Sequence, residues 1–122
     1  AGKAVYLYAG ICELQLGNFQ EAIDLLGKYK GKDPILKARA LACQGDAYVG
    51  LGDYPSAISA FKKAVNVSDN VFAAGYLFKE GLAYKAIDDK ASALECFKRI
   101  KEYYPQSLES YDIDRYISEV SE

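Results

Sequence analysis

The chain repeats itself every 35 or 36 residues, and this period limits the possible fold more than any other feature. Gly10, Gly45 and Gly81 mark the three copies. Other positions keep the same register: Ala22, Ala57 and Ala93; Ile23, Ile58 and Leu94; and Leu26, Phe61 and Phe97. A fixed period that preserves residue chemistry indicates one supersecondary unit used three times.

Each unit is predicted to contain two amphipathic helices joined by a tight turn. In the second unit, Asp33 is a good N-cap and Pro34 suits the first helical position, so a helix is predicted from 34 to about 51. Gly52 then ends that helix, since glycine readily adopts the left-handed conformation found at helix ends. Gly45 and Ala57 are predicted to let the two helices approach closely. The units are predicted over residues 3–36, 38–71 and 74–107 of a single domain, 1–122.

A further amphipathic stretch follows the third unit. Its apolar residues recur at helical spacing: Leu108, Tyr111, Ile113, Tyr116, Ile117 and Val120. Because a repeat array needs a terminal helix with one polar side to cover its last apolar surface, a capping helix is predicted over 107–120. The predicted fold is therefore an all-α solenoid of three helical hairpins plus a C-terminal capping helix.

Small and large residues alternate in the second unit in a pattern shared with a known family. They are Leu41, Gly45, Tyr48, Gly52, Tyr54, Ala57, Phe61 and Ala64. The third unit agrees nearly as well, and the first departs from the pattern at Glu13 and Tyr29. On these residues the chain resembles the tetratricopeptide repeat (TPR) family. The resemblance implies a right-handed α-α superhelix and a non-catalytic scaffold or adaptor whose partner is a protein or peptide.

Two short segments carry a narrower resemblance. They are Tyr8-Ala9-Gly10-Ile11-Cys12 and Asp112-Ile113-Asp114-Arg115-Tyr116-Ile117. These segments are similar to bacterial TPR proteins that are held in the inner membrane by an N-terminal span and expose their repeats to the periplasm. The resemblance implies a periplasmic location, with a cytoplasmic one as the alternative. No run of about 18 apolar residues occurs in residues 1–122, so direct membrane insertion by this part of the protein is not expected.

In the TPR family, the first helices of successive units line a concave groove that binds extended or helical segments. The resemblance assigns eleven residues to this groove: Leu7, Ile11, Leu14, Arg39, Ala42, Asp46, Val49, Phe78, Lys79, Leu82 and Lys85. The set is apolar at both ends and mixed in charge at its centre, which predicts an amphipathic helix or apolar segment as ligand.

Two alternatives to a free groove stay open. Its apolar residues could instead be covered by residues that precede Ala1 or by a second copy of the chain. The chain could also be a self-associating structural subunit of a membrane-associated assembly, since its eleven tyrosines favour a homodimer interface.

One well-known TPR ligand does not match this sequence. Chaperone-binding members hold a C-terminal carboxylate with Lys, Asn and Arg side chains on the groove helices. The corresponding residues are Leu7, Ile11, Cys43, Gly75 and Lys79. Lys79 alone has a suitable charge, so a carboxylate clamp is not expected.

The residue inventory argues against catalysis. The chain has no histidine, which removes the commonest general base and a common metal ligand, and it has no phosphate-binding loop motif. Cys12, Cys43 and Cys96 are widely spaced in apolar helical contexts, and they are predicted to be unpaired buried residues. No enzyme activity, cofactor or metal is therefore expected.

A lysine cluster surrounds the loop between the first two units. It comprises Lys28, Lys30, Lys32 and Lys37. The net charge is −2 and no wider basic stripe continues the cluster, so a solvated surface is favoured over a nucleic-acid site.

Overall fold

Seven α-helices form the structure, a computed structural model that describes residues 3–68 and 71–122. They are α1 (Ala4–Gln15), α2 (Phe19–Lys28), α3 (Pro34–Gly50), α4 (Tyr54–Ser68), α5 (Ala73–Ala86), α6 (Lys90–Tyr103) and α7 (Ile113–Val120). Successive helices pack against each other along the chain, as three hairpins followed by α7. The predicted all-α repeat array is thereby confirmed.

Side-chain caps and turn residues set the helix ends. The Asp33 carboxylate accepts hydrogen bonds from the backbone N–H of Ile35 at 2.8 Å and of Leu36 at 3.3 Å, which caps α3. The turns within the hairpins use a left-handed residue: Gly17 (φ 82°), Gly52 (φ 76°) and Asp88 (φ 61°). The third hairpin therefore places an aspartate where the other two have glycine.

The recurring glycines mark the closest approach of the two helices in each hairpin. A Cβ on Gly45 would lie 2.5 Å from Cε1 of Phe61, and one on Gly81 would lie 2.6 Å from Cε1 of Phe97. Both rings are fully enclosed by the hairpins. Any larger residue at these positions would push the helices apart.

The stretch predicted as one capping helix over 107–120 has two parts. A short 3-10 helix, Glu109–Asp112, precedes α7. The Ser107 hydroxyl donates to the Tyr104 carbonyl at 2.7 Å and accepts from the Ser110 N–H at 3.1 Å. These two bonds form a local turn that competes with a regular helix, so α7 begins six residues later than predicted.

Packing and ion pairs hold α7 against the third hairpin. The Tyr116 ring lies 4.8 Å from the Phe78 ring, edge to face, and 5.7 Å from the Phe97 ring. Glu119 pairs with Lys85 of α5 at 2.8 Å. Over the described ranges, no helix has both the length and the apolar character needed to cross a membrane.

Candidate functional site

Two of the predicted groove residues lie in the core. Leu7 has no exposed surface and packs with Ala22 and Leu26 of α2, and Ala42 is 3% exposed and packs against α4. Leu7 shares its core cluster with residues of α2 and α3, and Ala42 shares its cluster with residues of α4 and α5, so neighbouring helices bury both side chains. A partner in the groove cannot reach either side chain.

The chain itself covers part of the predicted groove. Phe78 is half-buried beneath Tyr116, and Lys85 is ion-paired with Glu119, so α7 occupies the C-terminal part of this face. At the other end, Ile11 and Leu14 are half-buried against the N-terminal core cluster.

The centre of the groove remains open. A cleft of about 300 Å³ lies between α3 and α5, with Val49 and Leu82 at its surface and the Phe61 ring beneath them. Val49 and Leu82 are each 36% exposed. At the rim, the Lys79 ammonium donates to the Asp46 carboxylate, with Nζ 2.8 Å from Oδ2 and 3.0 Å from Oδ1. Four of the eleven predicted residues are therefore brought together here: Asp46, Val49, Lys79 and Leu82.

Two half-buried polar groups, the Cys43 thiol and the Tyr76 hydroxyl, lie near the charged residues of this cleft. Neither was among the predicted site residues. Burial raises the pKa of the Cys43 thiol, and the nearby Asp46 carboxylate raises it further. Burial is likewise the main cause of the raised pKa of the Tyr76 hydroxyl, against which the Arg39 guanidinium acts. Both groups therefore favour their neutral forms. Cys43 corresponds to a residue of the carboxylate clamp, and this correspondence was the sequence signal that placed Cys43 on the groove face.

A second polar feature lies between α4, α5 and α6. The Cys96 thiol donates to Oε2 of Glu80 at 3.4 Å, and Glu80 is 3% exposed. Burial raises the pKa of the Glu80 carboxyl, while the Cys96 hydrogen bond and the charges of Lys62 and Arg99 lower it. Burial also raises the pKa of Cys96 far above its usual range, so its nucleophilic thiolate form is disfavoured. This pair has the character of a structural element of the core.

Comparison with known proteins gives the family. Two family models described as "Tetratricopeptide repeat" match the chain, one at residues 4–34 and 76–107 and the other at residues 38–70. A search among curated proteins found no match. Each matched segment falls on one of the three hairpins, and together they cover most of the chain. The chain therefore belongs to the tetratricopeptide repeat family, whose repeats generally mediate protein–protein interactions without catalysis.

Proposed function

We propose that this protein is a non-catalytic scaffold that binds an amphipathic helix or peptide segment in the groove between α3 and α5. The observation that carries this proposal is the apolar cleft at Val49 and Leu82. Exposed apolar surface in a concave site favours an apolar side chain of a partner, because binding removes both surfaces from water. Interfaces commonly concentrate their binding energy in such an anchor.

The rim of the cleft favours a partner with charged residues beside its anchor. The Asp46–Lys79 pair is partly exposed, so it contributes about 1 kcal/mol or less to folding and can exchange for a partner's charges at little cost. Arg39 is exposed on the same helix as Asp46 and forms no ion pair with any described acidic residue. A partner carboxylate about 15 Å along α3 from the apolar anchor is therefore favoured, since ten residues separate Arg39 from Val49.

A selected peptide provides the test. Peptides are selected from a displayed library on the wild-type chain, and the affinity of the best one is measured. The Val49→Asp/Leu82→Asp variant should bind that peptide at least tenfold more weakly, since one buried apolar side chain contributes roughly 1.5–3 kcal/mol. The Ile35→Asp/Leu108→Asp variant adds the same charge at exposed apolar positions outside the cleft and should bind normally.

The rate of alkylation of Cys43 gives a second measurement of peptide binding in the groove. A peptide in the groove should slow alkylation of Cys43 and leave alkylation of the exposed Cys12 unchanged. The proposal fails if the selected peptides bind both double variants equally and leave Cys43 unprotected. Far-UV circular dichroism establishes that both variants are folded.

Self-association is a second candidate function, favoured by the outer face of α1. Val5, Tyr8 and Leu16 are at least 60% exposed and recur at helical spacing with the exposed Cys12. Such an apolar stripe marks a contact surface when it is continuous. Light scattering from micromolar to millimolar concentration tests this function. A constant monomer mass, unchanged by Tyr8→Glu, would rule it out.

A further inference from the structure

A second cleft lies between α2 and α3, and it shares no lining residue with the groove cleft. Its volume is about 540 Å³, within the range of known ligand sites. Leu26, Ala40 and Leu41 supply an apolar floor. Three exposed lysines also line this cleft: Lys30, Lys32 and Lys37.

Local packing fixes the loop that carries two of these lysines. The Tyr29 side chain is buried, and Gly31 lies so close to its hydroxyl that no side chain could be placed there. Lys30 and Lys32 flank this glycine, so the loop holds both lysines beside the cleft. Asp33 is the acidic residue of this loop, and its carboxylate caps α3.

The positive charge at this cleft is unbalanced. None of its three lysines forms an ion pair with an acidic residue anywhere in 3–68 or 71–122. The corresponding junction between the second and third hairpins differs: its cleft, of about 220 Å³, is lined by Lys62 and Arg99 together with Glu80 and Glu95. The first junction therefore has an excess of positive charge that the second lacks.

We propose that the cleft between α2 and α3 binds an acidic peptide segment. An apolar side chain of the segment occupies the floor at Leu26 and Leu41, and flanking Asp or Glu carboxylates pair with the lysines. A peptide fits better than a nucleic acid, because Tyr29, the aromatic residue of the cleft, is buried and unavailable for base stacking. The net charge of −2 also disfavours a polyanion whose binding depends on an extended basic surface.

The test uses a fluorescent peptide in which glutamates alternate with leucines, and a twin that carries glutamine for every glutamate. The Lys30→Gln/Lys32→Gln/Lys37→Gln variant should bind the acidic peptide roughly tenfold more weakly than the wild-type chain. This estimate follows because each exposed ion pair contributes a factor of about 1.4 to 5 in affinity. The glutamine twin should bind weakly to both proteins, and added salt should weaken binding of the acidic peptide alone.

A matched variant controls for net charge. Lys63→Gln/Lys90→Gln/Lys98→Gln removes three exposed lysines from α4 and α6, and it should bind the acidic peptide as the wild-type chain does. The Val49→Asp/Leu82→Asp groove variant should also retain binding, which separates this site from the groove.

Three results would overturn the proposal. The two lysine variants could bind the acidic peptide equally, or the glutamine twin could bind as tightly as the acidic peptide. An oligothymidylate could also bind more tightly than the peptide and lose its affinity in the first lysine variant, which would assign the cleft to nucleic acid. Thermal unfolding of each variant shows that the fold is kept.

Discussion

Replacing Gly45 by alanine tests the close contact between α3 and α4. The new Cβ would lie 2.5, 2.7 and 2.8 Å from three carbons of the Phe61 ring. Non-bonded carbons are most stable about 3.5–4.0 Å apart, so the ring must retreat by about 1 Å. Phe61 is 1% exposed and sits in a packed cluster with Ala57 and Ala64, so there is little room for this movement. Overpacking of this kind costs about 1–3 kcal/mol.

A second glycine, Gly75, separates the cost of overpacking from the gain in helix propensity. Alanine in place of a helical glycine stabilises a helix by about 0.5–1 kcal/mol. At Gly75 in α5, the nearest atom to an added Cβ is Oε2 of Glu109 at 3.5 Å, an ordinary contact. Gly75→Ala should therefore stabilise the fold by about 0.5–1 kcal/mol. Gly45→Ala should have the same propensity gain, so the difference between the two variants, about 1–3 kcal/mol, measures the overpacking.

Urea unfolding followed by far-UV circular dichroism measures both free energies. Gly45→Ala must be the less stable variant by at least about 1 kcal/mol. Adding Phe61→Leu to Gly45→Ala should cost less than Phe61→Leu costs in the wild-type chain, because the smaller side chain relieves the collision. If Gly45→Ala proves as stable as Gly75→Ala, the reasoning about the close helix contact is refuted.

Three further predictions concern buried or half-buried groups. Burial raises the pKa of Glu80 in the folded chain above its ordinary value of 4.5, so the unfolded chain releases this proton first and stability falls as pH rises through that value. In urea titrations, the free energy of unfolding of the Glu80→Gln variant should therefore rise relative to that of the wild-type chain as the pH increases from acidic to neutral. Equal changes in the two proteins would contradict this. Under native conditions, maleimide labelling followed by mass spectrometry should modify Cys12 first, Cys43 more slowly and Cys96 on unfolding, and early modification of Cys96 would count against its burial. Tyr116→Ala should lower the free energy of unfolding by about 2 kcal/mol, because α7 loses two ring contacts; a change below about 0.5 kcal/mol would mean that this ring does not hold α7 in place.

Sequence periodicity was sufficient to predict the helices and their pairing, because each depends on residues close together in the chain. Gly45 and Ala57 illustrate this: their period and small size follow from one repeated hairpin. Whether each predicted groove residue is exposed or buried was not predictable in the same way. Leu7 and Ala42 lie on the predicted helices, yet whether such a side chain is open or buried depends on how the neighbouring helices pack.

Contacts between distant parts of the chain were also beyond the sequence pattern. The repeat assigns Asp46 and Lys79 to one face, but their ion pair joins residues 33 positions apart and requires the distance between α3 and α5. The cover that Tyr116 provides over Phe78 depends on where α7 begins, and the local turn at Ser107 shifts that point. These features arise from packing between units, which a single period does not encode.

The left-handed conformation of Asp88 makes the third hairpin less stable than it would be with glycine at this position. Most residues with a side chain cost roughly 1–2 kcal/mol in this conformation, and aspartate tolerates it better than most, whereas Gly17 and Gly52 avoid the cost in the other two hairpins. Replacing Asp88 by glycine would release this strain at a residue that lines neither the groove cleft nor the lysine-lined cleft. The array could then tolerate costlier changes on its binding surfaces, which makes position 88 a useful first step in re-engineering the scaffold for a new ligand.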